Sequence, residues 1–439
     1  MLKHIFVMGL HPFHLEQIRT IRHGHDYAFH GLLDYDEVVM PKSYSIRRLL
    51  RKAERRIESF YGDVAGIITH WDFPASTMVP ILAKKYGYRY ASLESVLQCE
   101  HKYWSRLTQR QVLPDLTPRF CAFDPFADDP LASINLAYPY WIKPIKAFSS
   151  HLGFRIDQAE DFQRALPFIR EQIPRIGKAF DEILDHARLP DSIRPIDGTW
   201  CIAEEIMQGK QCGIEGFVFE GRVAIHGAVD TVKDLHNWSF TRYEYPSEWP
   251  TSVQQRMAAA AKKFMQHIGF DNAAFGIEFF WDEEADRLGI LEINTRISQS
   301  HSKQFIMVEG ASNHEVPVDL VLGRDPEFCL NQGKYKTAAK FMLRRYADAV
   351  VTRVPTPEEL RAVEESEPDC TIGLTVEEGM RLSQLRDQDS YSYEIANVWL
   401  GAQSQEELLE KYRGIVARLH FEFSDGSRPE AFQLASTRY

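Results

Sequence analysis

The stretch 275–301 holds the densest set of side chains able to do chemistry: Glu278, Glu292, Asn294, Arg296, Ser298, Ser300 and His301, set among apolar residues and split by the polar turn 283–287. Read with a period of two, Phe275, Ile277, Phe279 and Trp281 take one face of a strand and Glu278 and Asp282 the other. In the next strand Leu291 and Ile293 point one way, and Glu292, Asn294 and Arg296 point the other. Paired as a hairpin, the two strands bring two carboxylates, an amide oxygen and a guanidinium to one polar face. Such oxygen ligands suit Mg²⁺, which takes one or two protein carboxylates and completes its shell with water and phosphate oxygens. The same spacing also fits an exposed hairpin with a charged outer face, and spacing alone does not choose between the two.

Other residues offer weaker signals. Lys143 ends an apolar run and is followed by Ser149, Ser150 and Gly153. A cation and a loop of hydroxyl and backbone donors can hold phosphates, and a surface lysine before a turn has the same pattern. His11 and His14 lie where a first strand ends, as metal ligands, substrate contacts or structural side chains. Arg47, Arg48, Arg51, Lys52, Arg55 and Arg56 form the solvated face of a helix.

The elements that must position the hairpin read outward from it. An amphipathic helix, 252–268, precedes it. Upstream, 199–207, 213–219 and 223–229 read as three successive antiparallel strands, and residues 231–250 as a polar, aromatic loop long enough to be functional or mobile. Residues 1–92 alternate strands (4–9, 27–33, 65–69, 88–91) with helices (13–22, 45–60, 74–86), the pattern of a parallel α/β unit. Lys102 falls in a polar helix, 93–113. Pro114, Pro118, Pro125, Pro130 and Pro139 then mark irregular connections and a domain boundary. Segments 157–173 and 177–186 read as two helices. Beyond 325 come a strand (336–344), a helix (357–365), a strand (391–400) and a helix (405–419) behind the cap-like Ser404. That last part shows no evident chemistry and is expected to cover the site or form a homodimer interface.

At 439 residues the chain should hold two to three domains of about 150 residues each. It is 44% apolar and 26% charged, an ordinary globular balance. A net charge of -11 without a long basic run argues against a nucleic-acid partner. No C-x-x-C pair occurs among the six cysteines, which read as reduced thiols. The apolar run at 5–10 is too short for a signal or a membrane span, so the expected location is the cytoplasm, with no membrane partner. No G-x-G-x-x-G follows the first strand, which excludes the usual dinucleotide site there.

Taken in order, these marks resemble the ATP-grasp superfamily, and most of all its carboxylate–amine ligases. They are Lys102 in a helix, Trp141-Ile142-Lys143-Pro144 with its serine loop, Ala203-Glu204-Glu205-Ile206-Met207, Ile214-Glu215-Gly216-Phe217-Val218, Phe275-Gly276-Ile277-Glu278 and Leu291-Glu292-Ile293-Asn294-Thr295-Arg296. The resemblance covers residues 1–325. It implies an α/β N-terminal domain with a parallel sheet (1–113), α+β ATP-grasp lobes clamping a nucleotide (114–325) and a small β-rich C-terminal lobe (326–439). It further implies that Lys102 and Lys143 contact the phosphates of ATP, with Ser149, Ser150 and Gly153 in the covering loop. Glu204 would meet the adenine amino group, the backbone near Glu205 and Met207 the rest of the base, and Gln211 a ribose hydroxyl. Glu278, Glu292 and Asn294 would hold Mg²⁺, or Mn²⁺ in its place. Arg296 and Lys233 would act on the transferring phosphate. Glu215, His226, Asp230, Ser298, Ser300 and His301 would face the substrate, with Ser298 and Ser300 equally suited to capping turns. Three departures stand out: Gln211 where Glu is common, a phosphate loop without its usual glycines, and Thr295 where Pro is common.

The implied reaction is ATP- and Mg²⁺-dependent activation of a carboxylate as an acyl-phosphate, then attack by an amine, on substrates of amino-acid or small-peptide type. The alternatives are a nucleotide-binding protein without turnover, a carboxylase-type member using bicarbonate, and a phosphotransferase.

Overall fold

The apolar run at the N-terminus forms β1 (Lys3–Leu10), which pairs in parallel with β2 (Tyr27–Asp34) and β3 (Val64–Ile68) in the order β2-β1-β3. Ile5 to Met8 are all buried, as expected of a parallel strand covered on both faces. The covering helices are α1 (Pro12–Ile18), α2 (Tyr35–Val38), α3 (Ile46–Glu58) and α4 (Ala75–Tyr86). The computed structural model describes residues 2–39, 41–148, 151–234, 239–328, 331–385 and 391–427. No strand forms at 88–91: Tyr88 and Tyr90 pack on the apolar cluster from outside instead of joining the sheet. The helix expected over 93–113 is two, α5 (Leu93–Glu100) and α6 (Lys102–Val112). They part at His101, whose Nδ1 accepts the Trp104 N–H at 3.2 Å and so caps α6. On α3, Arg47 pairs with Asp185 and Lys52 with Glu37 at the surface.

A second, antiparallel sheet is built from β4 (Phe120–Phe123), β5 (Tyr140–Pro144), β6 (Phe154–Ile156) and β7 (Cys201–Glu205) in the order β4-β7-β5-β6. It packs on α7 (Ala159–Leu184), one helix of 26 residues where two were expected. Its buried stripe runs from Phe162 through Ile169, Ile173 and Ile176 to Phe180 and Ile183, straight past Pro167 and Pro174. Packing along that stripe overrides the local cost of the prolines.

The third sheet has eight antiparallel strands. Five are β8 (Lys210–Phe219), β9 (Arg222–Lys233), β10 (Phe240–Tyr245), β11 (Ala273–Asp282) and β12 (Arg287–Asn294). The C-terminal part adds β13 (Thr337–Arg345), β15 (Thr371–Leu374) and β16 (Tyr393–Ala402), giving the order β12-β11-β8-β9-β10-β13-β16-β15. A separate pair joins β14 (Val351–Arg353) and β17 (Glu422–Phe423). Of the 16 described residues in the expected loop 231–250, nine are therefore strand, and 235–238 lie outside the described residues. α8 (Thr251–His267) covers one face, burying Met257 and Phe264 against Ile214, Ile277 and Phe279. α9 (Ser302–Glu309) and α10 (Glu315–Val321) cover the other. α11 (Pro357–Ser366) and α12 (Gln405–Val416) close a C-terminal apolar cluster around Phe341, whose ring stacks on Tyr412 at 3.9 Å. The C-terminal part thus has its own core and a short strand pair, but its longer strands belong to the third sheet. Among the described residues no helix is long and apolar enough to cross a membrane.

One buried side chain joins the parts. Arg106 follows Lys102 by one turn of α6, so both reach from the same face. Its guanidinium donates to Glu204 of β7 (2.5 Å), to the carbonyls of Ile290 (2.7 Å) and Leu291 (2.8 Å) of β12, and to Gln109 (2.5 Å). Leu291 is the extra residue of a β-bulge, since Glu278 pairs Glu292 and Phe279 pairs Ile290. It therefore leaves the alternation that would have buried it beside Ile293.

Three histidines mark the seam between the first domain and the third sheet. His14 of α1, His70 after β3 and His314 before α10 lie in contact, all buried, the first two rings tilted at 4.6 Å between centroids and the last two edge-on at 4.9 Å. Burial pushes His14 down to about 4, His314 to about 3, and His70 well below the usual value.

Two outcomes are expected. Arg106→Met strands two carbonyls and removes one of the two cations on Glu204, at a cost of about 3–5 kcal/mol in denaturant unfolding. An unchanged midpoint would show that the fork is not structural. The histidines bind protons more weakly folded than unfolded, so their contribution is complete above the unfolded value of 6.5 and is lost as pH falls toward 4. For His14 alone the loss is on the order of 3 kcal/mol, and His14→Phe should flatten the acid limb of a stability–pH curve by a comparable amount.

Candidate active site

A cleft of about 1300 Å³ opens between the second and third sheets and is closed at one end by the first domain. Its floor is set by strand alternation. On β8, Cys212 and Ile214 face α8, while Gln211, Gly213 and Glu215 face the cleft. On the neighbouring hairpin Glu278 lies directly opposite Glu292, and Asn294 opposite Gly276. Asn294 Nδ2 donates to Glu278 Oε1 (3.5 Å) and Gln211 Nε2 to Glu278 Oε2 (2.7 Å). Burial, then the facing Glu292, push the Glu278 carboxyl up to about 7, against the pull of Arg296 and Lys233. Glu292 is half-buried, and against its desolvation Lys102, Lys143 and Lys146 hold it below the usual range.

The cations come from three directions. Lys102 Nζ donates to Glu292 (3.1 Å) and to the Ala147 carbonyl (3.1 Å), and burial lowers its affinity for protons. Lys143, on β5, pairs with Glu204 at 2.6 Å. Arg106 and Lys143 together take both Glu204 oxygens and hold its carboxyl down to about 2 despite burial. The Glu204 carboxylate therefore meets two cations where an adenine amino group was expected. Lys233 is the last residue of β9, not part of a mobile loop. Its ammonium lies 4.8 Å from the Phe280 ring centre and 5.4 Å from that of Phe240, and burial lowers it to about 8.

The remaining expected residues divide. Glu205, Met207, Gly153, Ser298, Ser300 and His301 line the cleft. Glu205 is also paired with Arg119 (3.4 Å), and Met207 Sδ sits where a Cβ on Gly289 would lie. Lys340 donates to Ser300 Oγ (3.4 Å). Ser149 and Ser150 lie outside the described residues. Asp230 is turned to Ser247 Oγ and the Glu248 N–H (2.9 Å), so it holds a turn. His226 is buried behind Glu215, aimed there by a bulge between β8 and β9.

Two partners were missed. Arg296 makes a two-point ion pair with Asp72, Nε to Oδ1 at 2.9 Å and Nη2 to Oδ2 at 2.6 Å. Asp72 follows the carboxyl end of β3, where ligands collect in parallel sheets, and that position was the available signal. Thr295 donates to Glu100 (2.5 Å), which also binds Lys146 (2.6 Å) and Ser76 (3.0 Å), so the Thr in place of Pro anchors the hairpin to α5 and α4. Nothing local in the sequence signals that contact.

Comparison with known proteins follows this geometry. The family model for the ATP-grasp domain matches residues 136–304. A search of curated proteins returns no match. Among solved structures, L-amino acid ligase from Bacillus licheniformis superposes with a TM-score of 0.70 at 15% identity, over 95% of this chain and 98% of that one. N5-carboxyaminoimidazole synthase from Aspergillus clavatus gives 0.63 at 12%, over 95% and 98%. Biotin carboxylase from Campylobacter jejuni gives 0.60 at 13%, over 96% and 92%. At these identities the likeness is one of fold. Residues 136–304, which hold most of the cleft strands, thus match the ATP-grasp domain, and the chain as a whole shares the fold of these structures.

Proposed function

We propose that the protein is an ATP- and Mg²⁺-dependent ligase that activates a carboxylate as an acyl-phosphate and joins it to an amine, releasing ADP and phosphate. The observation that carries the reading is one cleft lined by Glu278, Glu292 and Asn294 together with Lys102, Lys143, Lys233 and Arg296. Amino-acid or small-peptide substrates fit the volume best. The cleft runs on past Arg296 to Tyr35, Trp71, Leu374 and Thr375, far more room than bicarbonate needs beside a nucleotide. The working domain boundaries remain 1–113, 114–325 and 326–439.

The donor set fits Mg²⁺. Among the described residues no group of three or more His, Cys, Asp and Glu side chains is arranged for a metal. Two carboxylates and one amide oxygen are the sparse set Mg²⁺ takes when phosphate and water complete the shell. Glu278 and Glu292 face each other at the cost of a raised Glu278, a repulsion that a dication would relieve. Bound there, the ion supplies charge neutralisation at the β- and γ-phosphate oxygens. Among solved neighbours, one is named as a complex with MgADP and bicarbonate, and others as ADP or ATP complexes.

The chain's own residues then have distinct tasks. Lys102 and Glu292 hold each other's charge until phosphate arrives, when Lys102 turns to the phosphate and leaves Glu292 to the ion. Lys143 stays fixed by Glu204. Arg296, oriented by Asp72, meets the negative charge that builds as the substrate carboxylate attacks the γ-phosphate in line. Lys233, desolvated between two aromatic rings, adds a second cation where charge develops. The walls exclude water from the acyl-phosphate, which would otherwise hydrolyse.

The test is incubation with ATP, Mg²⁺ and pools of amino acids, with ADP, AMP and phosphate measured. ADP and phosphate are expected only when a suitable acid is present, and chelation of the metal should stop their release. AMP in place of ADP would sink the acyl-phosphate route, and no nucleotide consumption with any pool would count against a ligase. Glu292→Gln should abolish turnover while the unfolding transition persists. Near-normal activity in that variant would remove the metal assignment.

A further inference from the structure

The amine poses a problem that the metal face does not solve. It enters the cleft as an ammonium ion at neutral pH and must lose a proton before its nitrogen can attack. The carboxylates deep in the cleft are committed. Asp72 holds Arg296, Glu204 holds Arg106 and Lys143, and Glu278 and Glu292 face the cation site.

His301 is not committed in this way. It stands on the cleft wall at the end of the turn that follows the metal strand. Its Nδ1 lies 2.6 Å from Glu215 Oε1, a pairing that puts the ring proton on Nδ1 and leaves the lone pair on Nε2. Nε2 has no hydrogen-bond partner among the described residues. The Tyr243 ring meets the imidazole edge-on, 5.0 Å between centroids, and fixes its plane. Tyr243 itself feels the charges of Glu278 and Arg296, which puts the imidazole beside the reacting region.

Glu215 is built to hold this ring. It is 2% exposed. Its second oxygen accepts from Asn313 Nδ2 at 2.9 Å and faces His226 Nε2 at 3.6 Å. The bulge that supplies His226 therefore serves the carboxylate. Burial alone would raise Glu215, but its contacts with His226 and His301 hold it well below the usual carboxylate range, so it stays ionised. The charged group facing the imidazole is Glu215 on β8, with His226 of β9 behind it, while Lys340 of β13 reaches the neighbouring Ser300 and Lys303 of α9 is turned to Thr371.

We propose that His301, held by Glu215, is the general base that deprotonates the attacking ammonium, with Glu215 as its positioning residue. The inference rests on the ligase reading above. Nε2 takes one proton from the ammonium, and the freed lone pair forms the C–N bond at the acyl-phosphate carbonyl. The tetrahedral adduct then breaks its C–O bond to phosphate. The second nitrogen proton leaves with that phosphate as HPO₄²⁻, and the imidazolium proton goes to solvent. One acyl-phosphate and one ammonium yield one amide, one HPO₄²⁻ and one proton.

Hydroxylamine tests this, because it is uncharged at pH 7 and needs no base to attack an acyl-phosphate. The full-length protein would be given ATP, Mg²⁺, the acid and either the amine or hydroxylamine, with amide and hydroxamate measured. In His301→Gln the ratio of amide to hydroxamate should fall by about 100-fold or more relative to the unaltered protein. Hydroxamate formation by the variant also shows that it is folded. Glu215→Gln, which keeps an acceptor for Nδ1 but removes the charge, should lower the same ratio by a smaller factor, a change that a purely structural role would not produce. An unchanged ratio in His301→Gln overturns the proposal while leaving the ligase reading in place. An unaltered protein that forms neither product overturns the ligase reading, and the base with it.

Discussion

Most of what can happen in the cleft depends on the Arg106 fork. One guanidinium on α6 meets a carboxylate of the second sheet and two carbonyls of the third, so the two walls of the cleft are tied through the first domain's last helix. A buried cation of this kind is stable only when its donors are satisfied, and here Arg106 donates to four fixed acceptors. Glu204, anchored by it, then fixes Lys143. The position of the Lys143 ammonium in the cleft thus follows from an arginine that does not line it.

The cleft is otherwise an arrangement of mutually restrained charge. Asp72 holds Arg296, Glu292 holds Lys102, and Glu100 holds Lys146 and Thr295. Glu278 is the exception, with its carboxyl pushed up by burial and by Glu292. A site that binds a polyanion with a dication has to keep both signs apart and available, and pairing each charge with a partner it can exchange accomplishes that without collapse.

The polar face of the hairpin was legible because alternation on a half-buried strand is a local signal, and Glu278, Glu292 and Asn294 obey it. The likeness to the ATP-grasp domain was legible from the order of such marks. What escaped was long-range pairing: Asp72 with Arg296, Arg106 with the two sheets, and Glu100 with Thr295 each join residues far apart in sequence. Bulges escaped as well. An extra residue at Leu291 and another at His226 break the period of two that the reading relied on. The two helices expected over 157–186 are one, joined by a continuous apolar stripe, and the polar composition of 231–250 concealed the end of β9 and the whole of β10, which pair with each other.

The sheet order has a consequence for solubility. An eight-stranded antiparallel sheet ends in two edges, each a template on which another chain can add a strand. One edge is β12. There α5 and the turn at Pro114–Leu116 lie against the strand, and Arg106 occupies the Ile290 and Leu291 carbonyls, so an incoming strand would find two acceptors taken. The other edge is β15, only four residues long. The residue that joins the lobes therefore also guards the long edge of the sheet against self-association.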